Sequence, residues 1–338
     1  MGGDQSTRMV VAGADLARVR YPMARFLLFG DQAVIDPSLD RFEKLRAVAE
    51  VGHTDQTVSA DAKPSQALRR GKTSSMRLAI DAVADGRADA VVSAGNTGAL
   101  MAMSKIVLRM LPGIDRPAMA GIFPGLRGET VFLDLGANIE CGPDNLVDFA
   151  VMGALFARAV LGIVRPSVGL LNVGVEELKG HDEVRQAGVI LREADLPFDF
   201  YGFVEGDDLT SGTTDVVVTD GFTGNIALKT AEGTAQVYTE FLRRALSGSV
   251  LGRLAYLLAR PALGALRDRV DPRHHNGAMF VGLNGIAVKS HGGTDALGFS
   301  NAIGVAVDAV GEGFNARITE ELSRLHRGNR RTAKVAAG

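Results

Sequence analysis

Short apolar runs alternate along the chain with longer stretches in which apolar residues recur at helical spacing. The apolar runs predict strands at Phe26–Phe29, Ala90–Ala94, Val131–Leu135, Val168–Asn172, Phe198–Phe203 and Val216–Thr219. The stretches with helical spacing predict helices at Ser75–Asp85, Thr97–Met110, Asn145–Leu161, Glu183–Ala194, Thr223–Leu246 and Ala302–Leu325. This alternation is typical of parallel strands joined by crossover helices. The pattern therefore predicts an α/β fold with a mainly parallel sheet.

Glycine and polar residues cluster directly after four of the predicted strands. The clusters are VVSAGNTG at 91–98, FLDLGAN at 132–138, LLNVGVEELKG at 170–180 and VVVTDGFTGN at 216–225. Ligands of open parallel sheets bind beyond the carboxyl ends of the strands. We therefore expect the four loops to converge on one site.

Two of these loops have the composition of anion sites, because each leads into a helix whose N-terminus presents free N–H groups. Their residues are Gly95, Asn96, Thr97 and Gly98 in the first loop, and Asp220, Gly221, Phe222, Thr223, Gly224 and Asn225 in the second. Glycine after a strand also suits an ordinary tight turn, so one such loop is a weak indication and two are a stronger one. The spacings of the dinucleotide fingerprint and of the Walker loop are absent.

Charged and titratable side chains near the loops add further candidates. Lys179 and Lys229 are the nearest cations, and each either faces a ligand or remains a solvated surface charge. His291 either donates a hydrogen bond within the crevice or lies at the surface. We expect Asp134 to brace a neighbouring loop and Cys141 to be an ordinary small residue rather than a reactive thiol. The histidines form no H-E-x-x-H motif, which predicts that there is no zinc site.

Composition limits the classes of protein to which the chain can belong. Its 338 residues are 46% hydrophobic and 22% charged, which suits a globular enzyme with a large core. The net charge of -2 argues against a nucleic-acid coat protein. A single cysteine and the lack of a membrane-spanning segment predict a cytoplasmic protein. We expect one catalytic domain over 1–326 and a basic, disordered tail over 327–338.

The segment 241–270 interrupts the α/β rhythm. Apolar residues at helical spacing form a stripe, flanked by arginines, and comprise Val250, Leu251, Leu254, Leu257 and Leu258. Pro261 is predicted to start a second short helix. Such a basic amphipathic pair suits an anionic membrane surface or an acidic partner protein. The alternative is that both stripes pack on the core or across a dimer interface.

The motifs together resemble those of the phosphate acyltransferases of the PlsX type. The similarity rests on the opening MGGD, on VVSAGNTGALMA, LDLGAN, LLNVGVEELKG, DGFTGNIALKTAEG and GLNGIAVKSHGGTDA, and it extends to about Leu325. The resemblance implies a three-layer α/β/α sandwich related to phosphate acetyltransferases and isocitrate dehydrogenases. It implies transfer of a fatty acyl group from acyl carrier protein to inorganic phosphate, which supplies acyl phosphate for phospholipid synthesis.

The resemblance also implies a homodimer on the cytoplasmic membrane surface, without a metal or organic cofactor, that passes its product to a membrane glycerol-3-phosphate acyltransferase. Phosphate is already an oxyanion, so the reaction needs positioning and oxyanion stabilisation more than a strong base. On this basis the catalytic candidates are Lys179, Asn225 and His291. The candidates for binding phosphate or the acyl group are Gly95, Asn96, Thr97, Gly98, Asn138, Asp220, Gly221, Thr223, Gly224, Lys229 and Asn284.

Two other functions are compatible with the sequence. The first is a phosphate acetyl- or butyryltransferase that uses coenzyme A, since fold and reaction type are shared. The second is a non-catalytic scaffold for lipid synthesis, which would have no need of phosphate loops. Members of the PlsX type carry a short apolar strand before MGGD, whereas this chain begins in that motif. If that strand is missing, we expect the helix near residues 5–18 to lose a partner for its apolar face.

Overall fold

The computed structural model describes residues 7–271 and 273–324. The MGGD motif and the tail over 327–338 lie outside this range. The strands are β1 (Phe26–Gly30), β2 (Ala49–His53), β3 (Ala90–Ser93), β4 (Ala118–Pro124), β5 (Glu129–Leu133), β6 (Ser167–Leu171), β7 (Asp199–Val204), β8 (Val216–Val218), β9 (Ala278–Val281) and β10 (Ile286–Lys289).

The helices lie between and after these strands. They are α1 (Thr7–Arg20), α2 (Gln32–Leu39), α3 (Glu43–Arg46), α4 (Pro64–Arg70), α5 (Ser75–Ala84), α6 (Thr97–Leu108), α7 (Pro143–Leu161), α8 (Asp182–Glu193), α9 (Gly206–Ser211), α10 (Gly221–Ser247), α11 (Val250–Val270) and α12 (Ala296–Gly311), followed by a helical stretch over 314–324.

Eight strands form the main sheet in the order β3-β10-β9-β4-β5-β8-β6-β7, and β1 and β2 form a separate parallel pair. Within the main sheet, β3 pairs in parallel with β10, and β5, β8, β6 and β7 are parallel neighbours. Strands β9 and β4 are inserted between these two groups, with antiparallel pairing at each contact from β10 to β5. The predicted α/β fold with a mostly parallel sheet is confirmed. The sequence pattern had not indicated the strands β2, β4, β9 and β10.

Helices cover both faces of the sheet, which gives the three-layer arrangement. Val131 and Leu133 of β5 point into the largest core cluster, which also contains most of the buried face of α7. The residue between them, Phe132, points to the opposite face, where it belongs to a cluster that includes Ala227 and Leu228 of α10. The alternation follows from the two-residue repeat of a strand. Helix α1, whose apolar face we expected to need a partner strand, packs on α12, since Gly13 lies against Phe299.

Two predicted helix boundaries are wrong. Helix α11 is continuous through Pro261, which was expected to begin a second helix. A proline removes one backbone N–H from a helix, but Pro261 and Leu257 are exposed, so the carbonyl that loses its partner is open to solvent. The helix predicted from Ala302 is interrupted at Gly313, which has a φ of 61°, a conformation that favours glycine.

Helices α10 and α11 form a hairpin that lies largely outside the core. The only residues of α10 that are buried within the described chain are Gly221 and Gly224. At about 1.5 Å per residue, the 27 residues of α10 span about 40 Å, which is longer than any strand of the sheet. None of the helices in the described ranges is both long enough and apolar enough to cross a bilayer.

Candidate functional site

The four polar loops do not converge on one rim of the sheet, contrary to the expectation from sequence. Three antiparallel contacts separate β10 from β5, so β10 and its parallel neighbour β3 run in the opposite direction to β5, β6, β7 and β8. The loops that follow β3 and β10 form one rim of the sheet, here called the β3 rim. The loops that follow β5, β6 and β8 form the opposite rim, here called the β8 rim.

Asp134 organises the β8 rim. Its carboxylate is buried and accepts hydrogen bonds from the backbone N–H groups of Met119 (3.0 Å), Gly136 (3.1 Å), Ala137 (2.9 Å) and Asn138 (2.7 Å). Burial raises the pKa of the Asp134 carboxyl, and these hydrogen bonds lower it in part. The carboxylate thus holds the β5 loop in place, as the sequence suggested.

The loop that begins α10 packs directly on the β5 loop. The N–H of Gly221 donates to the carbonyl oxygen of Asn138 at 2.7 Å. A Cβ atom at Gly221 would come within 2.9 Å of Asp134 Oδ2, and one at Gly224 would overlap the carbonyl oxygen of Asp134. Glycine is therefore required at both positions by close approach of the two loops.

The N-terminus of α10 is occupied by groups of the chain itself. The carboxylate of Asp220 accepts from the N–H of Thr223 (2.8 Å) and from its hydroxyl (2.8 Å). Since Gly221 is also bonded, only the N–H of Phe222 among the first three of the helix lacks a partner in the described chain. With the carboxylates of Asp220 and Asp134 close by, this helix start is a poor place for an anion.

Two predicted asparagines of the β8 rim also hold the loops together. The side-chain amide of Asn138 donates to the carbonyl oxygen of Pro117 (2.7 Å) and to Asp134 (2.8 Å). The side-chain amide of Asn225 donates to the carbonyl oxygen of Leu135 at 3.1 Å, which leaves its Oδ1 atom without a hydrogen bond in the described chain. The Asn225 side chain is thus held against the loop, and its Oδ1 atom can still accept a hydrogen bond from a ligand.

The predicted lysines are exposed and paired. Lys179, in the loop after β6, forms an ion pair with Glu176 at 2.8 Å, and the hydrogen bond to Glu176 raises the pKa of the lysine. Lys229, two turns into α10, pairs with Glu232 at 2.6 Å. Asn284 lies in the turn between β9 and β10, at the end of the sheet where the β8 rim lies. Its backbone N–H donates to the carbonyl oxygen of Arg109.

The β3 rim contains the Gly95–Gly98 loop. Asn96 caps α6, since its Oδ1 accepts from the N–H of Ala99 at 2.9 Å. Its Nδ2 donates to the carbonyl oxygens of Ala60 (2.7 Å) and Ala62 (3.0 Å), which fastens the segment before α4 over the loop. None of the hydrogen bonds within the described ranges uses the N–H groups of Thr97 or Gly98. At the start of α6, the backbone N–H groups of Thr97 and Gly98 are therefore available to a ligand. The capping residue is the neutral Asn96, whereas at the start of α10 it is a carboxylate.

His291 lies on the same rim, directly after β10. Its N–H donates to the Oδ1 of Asn276 at 2.9 Å, and its Nδ1 accepts from the N–H of Gly293 at 3.2 Å. The Nε2 atom makes no hydrogen bond with any residue that the structure describes. Asn276 is buried and also donates to the Ser290 hydroxyl (2.8 Å) and the Gly298 carbonyl (2.7 Å). Sequence reasoning missed this asparagine, because its three hydrogen-bond partners lie 14 to 22 residues away.

Cys141 lies beside the loops that follow β5 and β8 and is partly buried. Burial, together with the charges of Asp134 and Asp220, raises the pKa of its thiol to about 12. The thiol is therefore protonated at neutral pH and is a weak nucleophile. Among the described residues, no group of three or more His, Cys, Asp or Glu side chains could hold a metal ion.

The chain matches the protein family described as "Fatty acid synthesis protein" over residues 1–317. It is 59% identical over 338 residues to the phosphate acyltransferase of Paramagnetospirillum magneticum, covering 100% of this chain and 96% of that protein. The chain belongs to the phosphate acyltransferase family. The phosphate acyltransferase of Rhodospirillum centenum is 63% identical over 325 residues, covering 96% of this chain and 92% of its own. Membership of the family confirms the resemblance that the motifs indicated.

Two solved structures of low sequence identity resemble this chain in fold. A phosphotransacetylase from Streptococcus pyogenes aligns with a TM-score of 0.56 and 18% identity, covering 91% of this chain and 92% of its own. A branched-chain phosphotransacylase from Enterococcus faecalis aligns with a TM-score of 0.53 and 13% identity. The alignment covers 91% of this chain and 97% of that protein. These similarities confirm the predicted relationship of the fold to phosphate acetyltransferases.

Proposed function

We propose that this protein transfers a fatty acyl group from acyl carrier protein to inorganic phosphate and so produces an acyl phosphate for phospholipid synthesis. A phosphate oxygen attacks the thioester carbonyl carbon, and a C–O bond forms. The C–S bond then breaks, and the carrier's thiolate leaves and takes up a proton. The reaction needs no metal, since phosphate brings its own charge and nucleophilic oxygen.

The observation that supports this proposal most directly is the open start of α6. The N–H groups of Thr97 and Gly98 are unused, and the exposed hydroxyl of Thr97 lies beside them. Such donors, together with the positive end of the helix dipole, suit phosphate. We assign phosphate binding to Gly95, Asn96, Thr97 and Gly98, with Asn96 acting through the shape of the loop because its amide is already engaged.

Three side chains are proposed to act on the charge that develops during transfer. His291 presents an unengaged Nε2 on the β3 rim, from which it donates to the thioester oxyanion or to the leaving thiolate. Lys179 supplies a positive charge and Asn225 supplies a polar group, both from the β8 rim. Asn138, Asp220, Gly221, Thr223 and Gly224 are given a positioning role instead, since their polar groups hold the loops together. Lys229 and Asn284 have no assigned contact with substrate.

Incubation of the protein with long-chain acyl carrier protein and phosphate, followed by trapping with hydroxylamine, tests this function. We expect acyl hydroxamate that depends on phosphate. A parallel reaction with acetyl- or butyryl-coenzyme A tests the second candidate, which the phosphotransacetylase-like fold favours. Product only from the short coenzyme A esters would replace the proposal by that candidate. No product from either donor, with intact binding of carrier protein, would favour the scaffold.

The α10–α11 hairpin is proposed to bring the homodimeric enzyme to the anionic inner surface of the membrane, where a glycerol-3-phosphate acyltransferase takes over the acyl phosphate. Val250, Leu251, Leu254, Leu257 and Leu258 are all more than half exposed. Arg253 and Arg260 lie on the same helix and are exposed as well. Each basic residue near an anionic bilayer contributes about 1 kcal/mol to binding. The same arginines suit the acidic carrier protein.

A further inference from the structure

Asn276 uses both donors and the acceptor of its side-chain amide inside the protein. The two N–H bonds of the amide go to the Ser290 hydroxyl and the Gly298 carbonyl oxygen, and Oδ1 accepts from the backbone N–H of His291. A carbonyl partner on one side and an N–H partner on the other allow a single orientation of the amide. Since Asn276 is only 8% exposed, it acts on a reaction through the residues that it binds.

The segment that carries Asn276 is held firmly against α12. Gly277 has a φ of 123°, and a Cβ atom there would lie 2.8 Å from the Cα of Ala302. The side-chain amide of Asn301, also on α12, donates to the carbonyl oxygen of Arg273 at 2.9 Å. The Asn276 amide therefore projects from a fixed backbone and joins the end of β10 to the first turn of α12.

The turn over 291–294 determines which ring nitrogen of His291 carries the proton. The carbonyl oxygen of His291 accepts from the N–H of Thr294 at 3.3 Å, and the ring Nδ1 accepts from the N–H of Gly293 at 3.2 Å. A ring nitrogen that accepts a hydrogen bond carries a lone pair, so the proton of the neutral imidazole is on Nε2. The exposed edge of the ring is therefore a hydrogen-bond donor.

This donor lies beside the loop to which phosphate binding is assigned. Lys289 of β10 pairs with Ser93 of β3, and the N–H of Ser290 donates to the carbonyl oxygen of Ser93 at 2.9 Å. His291 and Gly95 thus leave two neighbouring strands at the same level. Since neighbouring strands are about 4.8 Å apart, a ligand at the start of α6 lies within reach of the imidazole.

We infer that Asn276 is a positioning residue for His291 in the acyl transfer, an inference that rests on the proposed function. Its Oδ1 holds the backbone N–H of His291, which keeps the turn over 291–294 closed against α12. The closed turn places the N–H of Gly293 on Nδ1 and so directs the Nε2–H towards the substrate. A displacement of about 1 Å at a reacting group costs up to about a hundredfold in rate, so this support matters to turnover.

A double-mutant cycle separates an effect through His291 from a general loss of stability. The wild type, Asn276→Leu, His291→Ala and the double variant are assayed with acyl carrier protein thioester and phosphate, below the melting temperature of each. We expect Asn276→Leu to lower kcat about ten- to a hundredfold and to change the KM for phosphate less than about twofold. The double variant should be no slower than His291→Ala, because a residue that acts through His291 then has nothing to position. If Asn276→Leu does not fold, Asn276→Ser takes its place, since the shorter side chain leaves room for a water at the Gly298 carbonyl.

Two further variants distinguish positioning from packing. Asn276→Asp keeps an acceptor for the His291 N–H and loses the donor to the Gly298 carbonyl, so it should lower the melting temperature yet retain more of kcat than Asn276→Leu. Asn301→Leu is the matched control, because it removes a bond to the same segment without a contact to His291. It should lower the melting temperature and leave kcat unchanged.

Several rate patterns would overturn the inference. One is a wild-type kcat in Asn276→Leu, and another is an equal fold-loss from this substitution with and without His291. Full activity of His291→Ala would overturn it together with the role proposed for His291. A wild type that forms no phosphate-dependent product would refute the proposed function instead, and the state of the ring is then read without an assay.

Nuclear magnetic resonance of protein labelled with ¹⁵N-histidine provides that readout. The ring signals of His291 are identified by their absence from His291→Ala and are recorded at a pH where the imidazole is neutral. We expect the proton on Nε2 in the wild type and in Asn301→Leu, and a mixture of both tautomers in Asn276→Leu. A proton on Nδ1 in the wild type, or an unchanged tautomer in Asn276→Leu, would show that Asn276 does not position the ring.

Discussion

Gly224, in the first turn of α10, lies so close to Asp134 that a Cβ atom at position 224 would overlap the Asp134 carbonyl oxygen. The neighbour is backbone, so it cannot move aside as a flexible side chain would. We expect Gly224→Ala to lower the free energy of unfolding by about 1–3 kcal/mol.

Gly233→Ala on the same helix is the control for this substitution, because a Cβ atom there meets nothing within 4 Å. Replacing glycine by alanine in an open helix position should stabilise the protein by about 0.5–1 kcal/mol. Urea denaturation of both variants measures the difference. Equal effects of the two substitutions would mean that the two loops are not packed as described.

Lys179→Ala and Asn225→Ala should lose most of the acyltransferase turnover. Removal of one preorganised donor typically costs about a hundred- to a thousandfold in rate. The melting temperature of Lys179→Ala should change little, because its ion pair with Glu176 is exposed. Arg192→Ala is the control, since Arg192 pairs with Glu177 of the same loop at 3.1 Å. A comparable loss of rate in Arg192→Ala would assign the effect to loop packing.

Cys141 should be unreactive although it lies beside the candidate site. Its thiol pKa of about 12 leaves almost no thiolate at pH 8. We expect no reaction of the native protein with a thiol reagent at that pH, and one thiol per chain after unfolding. Cys141→Ala should retain activity. Rapid labelling of the native protein, accompanied by inactivation, would argue for a catalytic thiol.

Asp148, buried in α7, should make stability depend on pH. Burial, with the charges of Asp144 and Asp115, raises the pKa of its carboxyl to about 7. In the unfolded chain this carboxyl titrates near pH 4. The contribution of Asp148 to the free energy of unfolding is therefore complete below pH 4 and is lost as the pH rises towards 7. Asp148→Asn should therefore raise the melting temperature more at pH 8 than at pH 5. An equal change at both pH values would contradict the raised pKa.

Leu254→Glu combined with Leu258→Glu should abolish sedimentation with anionic liposomes and leave soluble activity intact. Both side chains are exposed on α11, so the folded protein tolerates the charges, whereas an apolar contact with lipid does not. Val19→Glu with Val164→Glu adds the same charge at other exposed positions and should still sediment. Retained binding by the first pair would refute the membrane role, and a monomeric product would place the stripe in the subunit interface.

The sequence by itself determined the elements that depend on local spacing. The predicted strand Phe26–Phe29 is one residue shorter than β1, and the predicted strand Val168–Asn172 is displaced by one residue from β6, because each strand is an apolar run that is easily seen in the sequence. The helix starts were equally visible, since helices were predicted from Thr97 and Thr223 and α6 and α10 begin at Thr97 and Gly221. The residues before them, Asn96 and Asp220, were predicted to bind phosphate, and in the structure their side chains cap the two helices.

Only the tertiary structure decided the direction of the strands. A strand has the same two-residue repeat in either direction, so nothing in VVSAGNTG or VVVTDGFTGN indicates that β3 and β8 run opposite ways. That depends on the antiparallel contacts of β4 and β9, which lie far along the chain from either motif. The partners of buried polar groups depend on the same distant pairing, as Asn138 and Pro117 show across 21 residues. Local pattern therefore fixes which residues form each loop, and non-local pairing fixes which loops meet.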